Sequence, residues 1–118
     1  MEVTKEQIRA RMEWLEKLKE FYLSDPQFGR DPTVNRLLIE INRSFKFGAT
    51  YRIEWLNGNK KEFSGMKEAE LYPNIPLDEE ISIYVEFKVA KQGILELFEQ
   101  RLQSHIETMY PEIFDQLY

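Results

Sequence analysis

The sequence predicts an α+β fold: an N-terminal helix hairpin, a β-hairpin plus a third strand forming a small antiparallel sheet, a short helix, and a long C-terminal helix packed on one face. Three observations carry this. Apolar residues recur every three or four positions over Ile8–Tyr22, Val34–Phe45 and Ile94–Met109. They alternate with polar residues over Tyr51–Trp55 and Ile81–Val89. Asp-Pro, Asn-Gly and isolated Pro residues punctuate the segments between. At 118 residues the chain reads as one domain, residues 1–118, able to bury roughly two-thirds of the surface its unfolded form exposes.

Thr4 and Gln7 form a Thr-x-x-Gln capping pattern in which each side chain can satisfy the other's free backbone N–H, so Thr4 is the predicted N-cap of the first helix. Val3 and Ile8 stand at hydrophobic-staple spacing. Ile8, Met12, Leu15, Leu18 and Tyr22 then make one stripe to about Leu23, widened by Trp14 and Phe21, with Glu13 and Lys17 paired on the far side. Ser24-Asp25-Pro26 and Asp31-Pro32 each set a capping side chain before a proline whose missing N–H costs nothing in a first turn. Phe28 anchors the short connection between them. The second helix runs from Pro32 with Val34, Leu37, Leu38, Ile41 and Phe45 on one face, and Gly48 is expected to end it as a left-handed residue.

The period then changes from 3.6 to 2. Tyr51, Ile53 and Trp55 alternate with Arg52 and Glu54, Asn57-Gly58 marks a turn, and Lys60 to Phe63 returns. A two-residue Asn-Gly loop would set Glu54 against Lys61, whereas a three-residue Asn-Gly-Asn loop sets Phe63 against Ile53. The second register is preferred, because hiding Phe63 outweighs one exposed ion pair. Ser64 is expected to cap a short helix through Met66, Ala69 and Leu71 that Pro73 stops. Ile81, Ile83, Val85, Phe87 and Val89 make a long strand at the centre of the sheet. The last helix carries Ile94, Leu95, Phe98, Leu102, Ile106 and Met109 until Pro111 interrupts it. From the second helix onward this order of elements resembles that of the phosphocarrier protein HPr. The phosphorylated His of that family lies in a Gly-x-His-x-Arg-Pro stretch, and Gly29-Arg30-Asp31-Pro32 contains no His, so no functional residue is carried across.

Composition narrows the function. Eight Phe, six Tyr and two Trp equip the chain to pack and bind, while the lack of Cys excludes disulfides, thiol catalysis and thiolate zinc sites together. No charged-then-apolar leader and no run of about 20 apolar residues is present, so a cytoplasmic protein without a membrane span is expected. The net charge of -5 is uneven: residues 1–59 hold ten Lys/Arg and nine Asp/Glu, residues 60–118 six and twelve. An acidic second half disfavours nucleic acid.

No catalytic residue, metal site or cofactor is assigned. His105, the single imidazole, has only Arg101 and Glu107 near it in sequence and is expected at the edge of the core. Asp78-Glu79-Glu80 reads as a solvated turn. Arg36, Arg43, Lys46 and Arg52 could form a basic strip, against the plainer reading of an ordinary helix face with Arg36 and Glu40 paired. The C-terminal stripe is the sharpest candidate. Tyr110, Phe114 and Tyr118 recur every four residues, flanked by Met109, Ile113 and Leu117, and such a segment either completes the chain's own core or docks into a partner or a second copy. The expectation is therefore a non-enzymatic interaction module, a small adaptor, inhibitor or assembly subunit, binding a protein partner or forming a homo-oligomer. Its candidate contact residues are Tyr110, Ile113, Phe114, Leu117 and Tyr118, with Tyr84 and Glu86 on the open sheet face. The alternative is a small enzyme or ligand-binding protein whose pocket lies between helices and sheet, lined by Trp14, Tyr51 and Trp55 with Glu62 or His105 as the polar group. Nucleic-acid binding through the second helix is the weaker alternative.

Overall fold

The computed structural model describes all 118 residues. Its elements are β1 (Glu2–Val3), α1 (Lys5–Ser24), α2 (Pro26–Gly29), α3 (Pro32–Gly48), β2 (Ala49–Trp55), β3 (Lys60–Ser64), α4 (Glu68–Leu71), a 3-10 turn (Tyr72–Asn74), β4 (Ile81–Phe87), α5 (Lys91–Met109) and α6 (Pro111–Leu117). The four strands form one antiparallel sheet in the order β1-β4-β2-β3. The α+β architecture read from the sequence stands. β1 has no signature in the sequence, since two residues carry no periodicity; it adds an edge by pairing Val3 with Ile83.

The helix starts obey their local signals. Thr4 and Gln7 complete the capping box, and the Asp25 and Asp31 side chains accept from the N–H groups of the first turns of α2 and α3. The N-terminal helices form the expected hairpin, with α2 at its corner and Phe28 fully buried beneath it. Tyr22 OH on α1 donates to Asn35 Oδ1 on α3 at its closed end. Along its length α3 packs chiefly against α5.

Gly48 ends α3 for a different reason from the one expected. Its φ is not positive; the only left-handed glycines are Gly58 and Gly65. A Cβ at Gly48 would lie 2.8 Å from the Cβ of Lys91, so the glycine permits close approach of α5. The hairpin register also differs from both alternatives considered. Glu54 pairs with Lys60 and Tyr51 with Phe63, which makes Leu56-Asn57-Gly58 the loop, with Gly58 at φ +87. The left-handed position needs Gly58 at the loop's end, and that requirement sets the register. Phe63 keeps the face predicted for it, since it remains on the Tyr51 and Ile53 side.

Three local expectations are corrected. Ser64 is the last residue of β3 and caps nothing; Gly65 turns the chain and Lys67 precedes α4 without a side-chain cap. β4 stops at Phe87, and Val89 is 96% exposed, because its partner β2 begins at Ala49: after the in-register bond from Lys88 N–H to the Gly48 carbonyl no strand remains to pair with, and the chain turns into α5 through Ala90 at φ 66. Ile94 and Met109 sit on the exposed side of α5, leaving Leu95, Leu102 and Ile106 in the core. One sheet face, with Tyr51, Ile53, Ile83 and Val85, is covered by helices, while Thr50, Arg52, Glu54, Tyr84 and Glu86 lie on the open face.

Candidate functional site

The C-terminal stripe folds back on its own chain. Pro111 starts α6, which packs against α1, and Tyr110, Ile113 and Leu117 are buried in the core. The Tyr110 ring meets Phe28 edge-on at 5.1 Å. Phe114 is half-buried and stacks on Tyr118 at 5.2 Å, while Tyr118 meets Trp14 edge-on at 6.0 Å. Of the five candidate contact residues here, only Tyr118, 46% exposed, offers a substantial surface. The second pair is likewise divided: Tyr84 lies half-buried beneath the Arg52 guanidinium at 4.8 Å, and Glu86 is exposed.

Tertiary structure also gives His105 a partner that sequence spacing hides. Its Nε2 lies 2.8 Å from Asp31 Oδ2, and the Tyr110 hydroxyl donates to the same oxygen at 2.7 Å. Asp31 Oδ1 meanwhile accepts from the Thr33 and Val34 N–H groups. Burial pushes the Asp31 carboxyl up, but the bonds from His105 and Tyr110 and the two backbone N–H groups together outweigh it and hold the group down to about 2. Burial and the neighbouring carboxylate push the Tyr110 hydroxyl up to about 12. Asp31 Oδ1 thus caps its own helix α3, while Oδ2 ties that cap to α5 and the start of α6. These bonds clasp α3, α5 and the start of α6 together. The edge position expected for His105 stands.

The partners of a second, half-buried charged cluster are likewise set by tertiary structure. Arg11 on α1 donates from Nε to Glu68 on α4 at 2.8 Å and from its terminal nitrogen to Glu99 on α5, and its guanidinium lies 4.3 Å from the Trp14 ring centre. Burial works against the Arg11 charge, yet the two carboxylates more than restore it. Burial raises the Glu68 carboxyl despite Arg11, and raises the hydroxyls of Tyr51 and Tyr72, whose oxygens are 3.3 Å apart. Helical spacing alone could have flagged Arg11, because it interrupts the stripe between Ile8 and Leu15.

Two cavities meet at this ion pair. One of about 400 Å³ lies between α1, α5 and the sheet and includes Tyr51, Val85, Glu96 and Glu99. The other, about 440 Å³, is the groove of the α1–α3 hairpin, lined by Met12, Leu15, Tyr22, Leu38 and Ile41. Arg11, Glu68 and Tyr72 line both. The pocket residues read from sequence do not converge: Tyr51 lines the first cavity and Trp14 the second, Trp55 bonds Glu79 on the surface, Glu62 is exposed on β3, and His105 is in the clasp.

The remaining surface groups resolve as follows. Asp78, Glu79 and Glu80 are exposed, and no group of three metal-ligating side chains converges anywhere. Arg52 leaves the basic strip, since it pairs with Glu54 on the open sheet face. Glu40 pairs with Arg43 at 4.0 Å rather than with Arg36. No helix is long and apolar enough to cross a membrane. Phe47, Ile94 and Leu97 are 58%, 38% and 44% exposed, on the two helices that pack together as α3 and α5. No protein-family model, curated protein or solved structure matches the chain.

Proposed function

We propose that this protein is a non-enzymatic protein-binding module. The observation that supports this reading is that Phe47 on α3 and Ile94 and Leu97 on α5 stay exposed on two helices that pack together. Single exposed apolar residues are ordinary, but large ones gathered on adjacent rigid helices leave water contact that a partner can remove. The C-terminal segment contributes Tyr118 and its stacked Phe114 as a second, smaller contact. Affinity capture with the full chain from its native cell tests the reading, run in parallel with Leu97→Asp and Tyr118→Ala. A protein retained by the parent and lost with Leu97→Asp, while circular dichroism is unchanged, supports it. Capture of the same proteins by parent and both variants refutes it.

A second reading has one specific observation in its favour, the half-buried Arg11 paired with buried Glu68 where two cavities meet. Polar groups converging on apolar cavities are what a small-ligand site requires. Thermal-shift screening against cationic and anionic metabolites, repeated with Glu99→Gln, separates this reading from protein binding.

A further inference from the structure

Resting on the protein-binding reading, we infer that the outer face of α3 and α5 docks an acidic amphipathic helix of a partner protein. The two helices are pinned antiparallel at both ends. Gly48 lies against Lys91, and Asp31 at the start of α3 bonds His105 near the end of α5. On α3, Ser44 and Leu37 share the line of Gly48 that faces α5. Phe45, on one side of that seam, packs against Tyr51 and Tyr72 and so marks the sheet side. Glu40, Phe47, Arg36 and Arg43 therefore fall on the opposite, outer side. On α5, Lys91, Phe98 and His105 follow the seam, and buried Leu95 and Leu102 mark the inner side. Ile94, Arg101 and Leu97 fall outward. The two outer strips adjoin, with Phe47 near Ile94 at one end.

This surface differs in charge from the chain that carries it. The protein has net charge -5, yet the outer strips present Arg36, Arg43 and Arg101, with Lys46 and Lys91 at the margins and Glu40 as the one carboxylate. Only Arg43 has a carboxylate within ion-pair distance, Glu40 at 4.0 Å. Arg101 lies instead over the Phe98 ring at 5.9 Å and Lys46 over Phe47 at 5.7 Å. An apolar centre with unpaired arginines around it is the composition of a protein interface awaiting carboxylates. A groove between two antiparallel helices accepts a third helix by ridge-into-groove packing, with apolar anchors at i, i+3 and i+7.

The other occupants fit less well. A second copy meeting this face symmetrically would set arginines against arginines. Nucleic acid would bring phosphate against Glu40, and Phe47 is the one exposed ring beside aliphatic Ile94 and Leu97, too few for successive bases to stack on. An anionic bilayer could use the charge, but three apolar side chains offer little to bury in it.

The test is amide chemical-shift mapping on the full-length chain. The probe is a synthetic helical peptide of about 18 residues with leucine at the anchor positions and glutamate beside them. Its glutamine and lysine counterparts, vesicles of phosphatidylcholine with phosphatidylglycerol, and a short DNA duplex are the comparison arms. The glutamate peptide should shift Arg36, Arg43, Phe47, Ile94, Leu97 and Arg101 saturably. It should bind about tenfold more tightly than the glutamine peptide, with the gap closing at high salt. Arg43→Glu/Arg101→Glu should transfer the preference to the lysine peptide. Equal binding of glutamate and glutamine peptides, shifts confined to the α1–α3 groove, or tighter binding of vesicles or duplex to this face would each overturn the proposal. A captured partner that depends on Leu97 but is indifferent to Arg43 and Arg101 would overturn the acidic partner while leaving the protein-binding reading intact.

Discussion

Replacing Asp31 should test the clasp that holds three helices together. Its Oδ1 caps α3 through Thr33 and Val34, and its Oδ2 accepts from His105 and Tyr110. Asp31→Ala removes an N-cap worth about 1 kcal/mol and leaves the buried Tyr110 hydroxyl and the half-buried His105 ring without a charged acceptor, at about 1 kcal/mol each. The expected loss is about 3 kcal/mol, which at a urea slope of about 1.5 kcal/mol per molar lowers the midpoint by about 2 M. Asp31→Asn keeps a good cap and a neutral acceptor, so about half that loss is expected. The carboxyl is held at about 2 in the folded chain against an ordinary 3.8. Its charge therefore stabilises the fold fully above about pH 4, and that contribution is lost as the pH falls from 4 toward 2. Urea melts of the parent and both variants at pH 7, 4 and 2.5 or so provide the assay, and the gap between parent and Asp31→Ala should narrow only across the last interval. A gap below about 0.5 kcal/mol at pH 7, or one that ignores pH, would refute the clasp.

Ending the chain after Thr108 removes Tyr110, Ile113 and Leu117 from the core. At about 1.5–3 kcal/mol each this approaches the whole stability of a small domain, so near-ultraviolet dichroism should lose its cooperative transition; a truncated chain as stable as the parent would mean that α6 is a passive tail. Arg11→Met should cost about 3 kcal/mol because it strands Glu68 in the interior, and adding Glu68→Gln should recover much of it. Denaturant titration of the single and double variants decides between this and simple additivity. Ala90 holds φ 66, a left-handed conformation costing an alanine roughly 1–2 kcal/mol. Ala90→Gly should raise the melting temperature modestly, by about 0.5 kcal/mol of stability after the glycine's extra unfolded-state freedom; a lower melting temperature would show that no strain is stored there.

Much of the fold was legible because its instructions are local. Thr4 with Gln7, Asp25 before Pro26, and Asp31 before Pro32 place helix starts through hydrogen bonds that span only two or three residues. The alternation at Tyr51–Trp55 and Ile81–Phe87 assigns sheet faces, because side chains on a strand can only alternate. Finer choices depended on distant groups. Gly48 terminates α3 in a form decided by Lys91, the hairpin register followed from where Gly58 could turn left-handed, and β4 ended early where Lys88 found the Gly48 carbonyl.

Sequence alone determined the helix stripes, their caps and the face each strand presents, along with an aromatic, Cys-free composition suited to packing and binding. Only the tertiary structure decided that Tyr110, Ile113 and Leu117 complete their own core, that Asp31 reaches His105 across 74 residues, and that Arg11 finds Glu68 and Glu99. Periodicity records which residues leave water together. It carries no record of the partner each one meets, because that depends on how separate helices are laid side by side once the chain has closed.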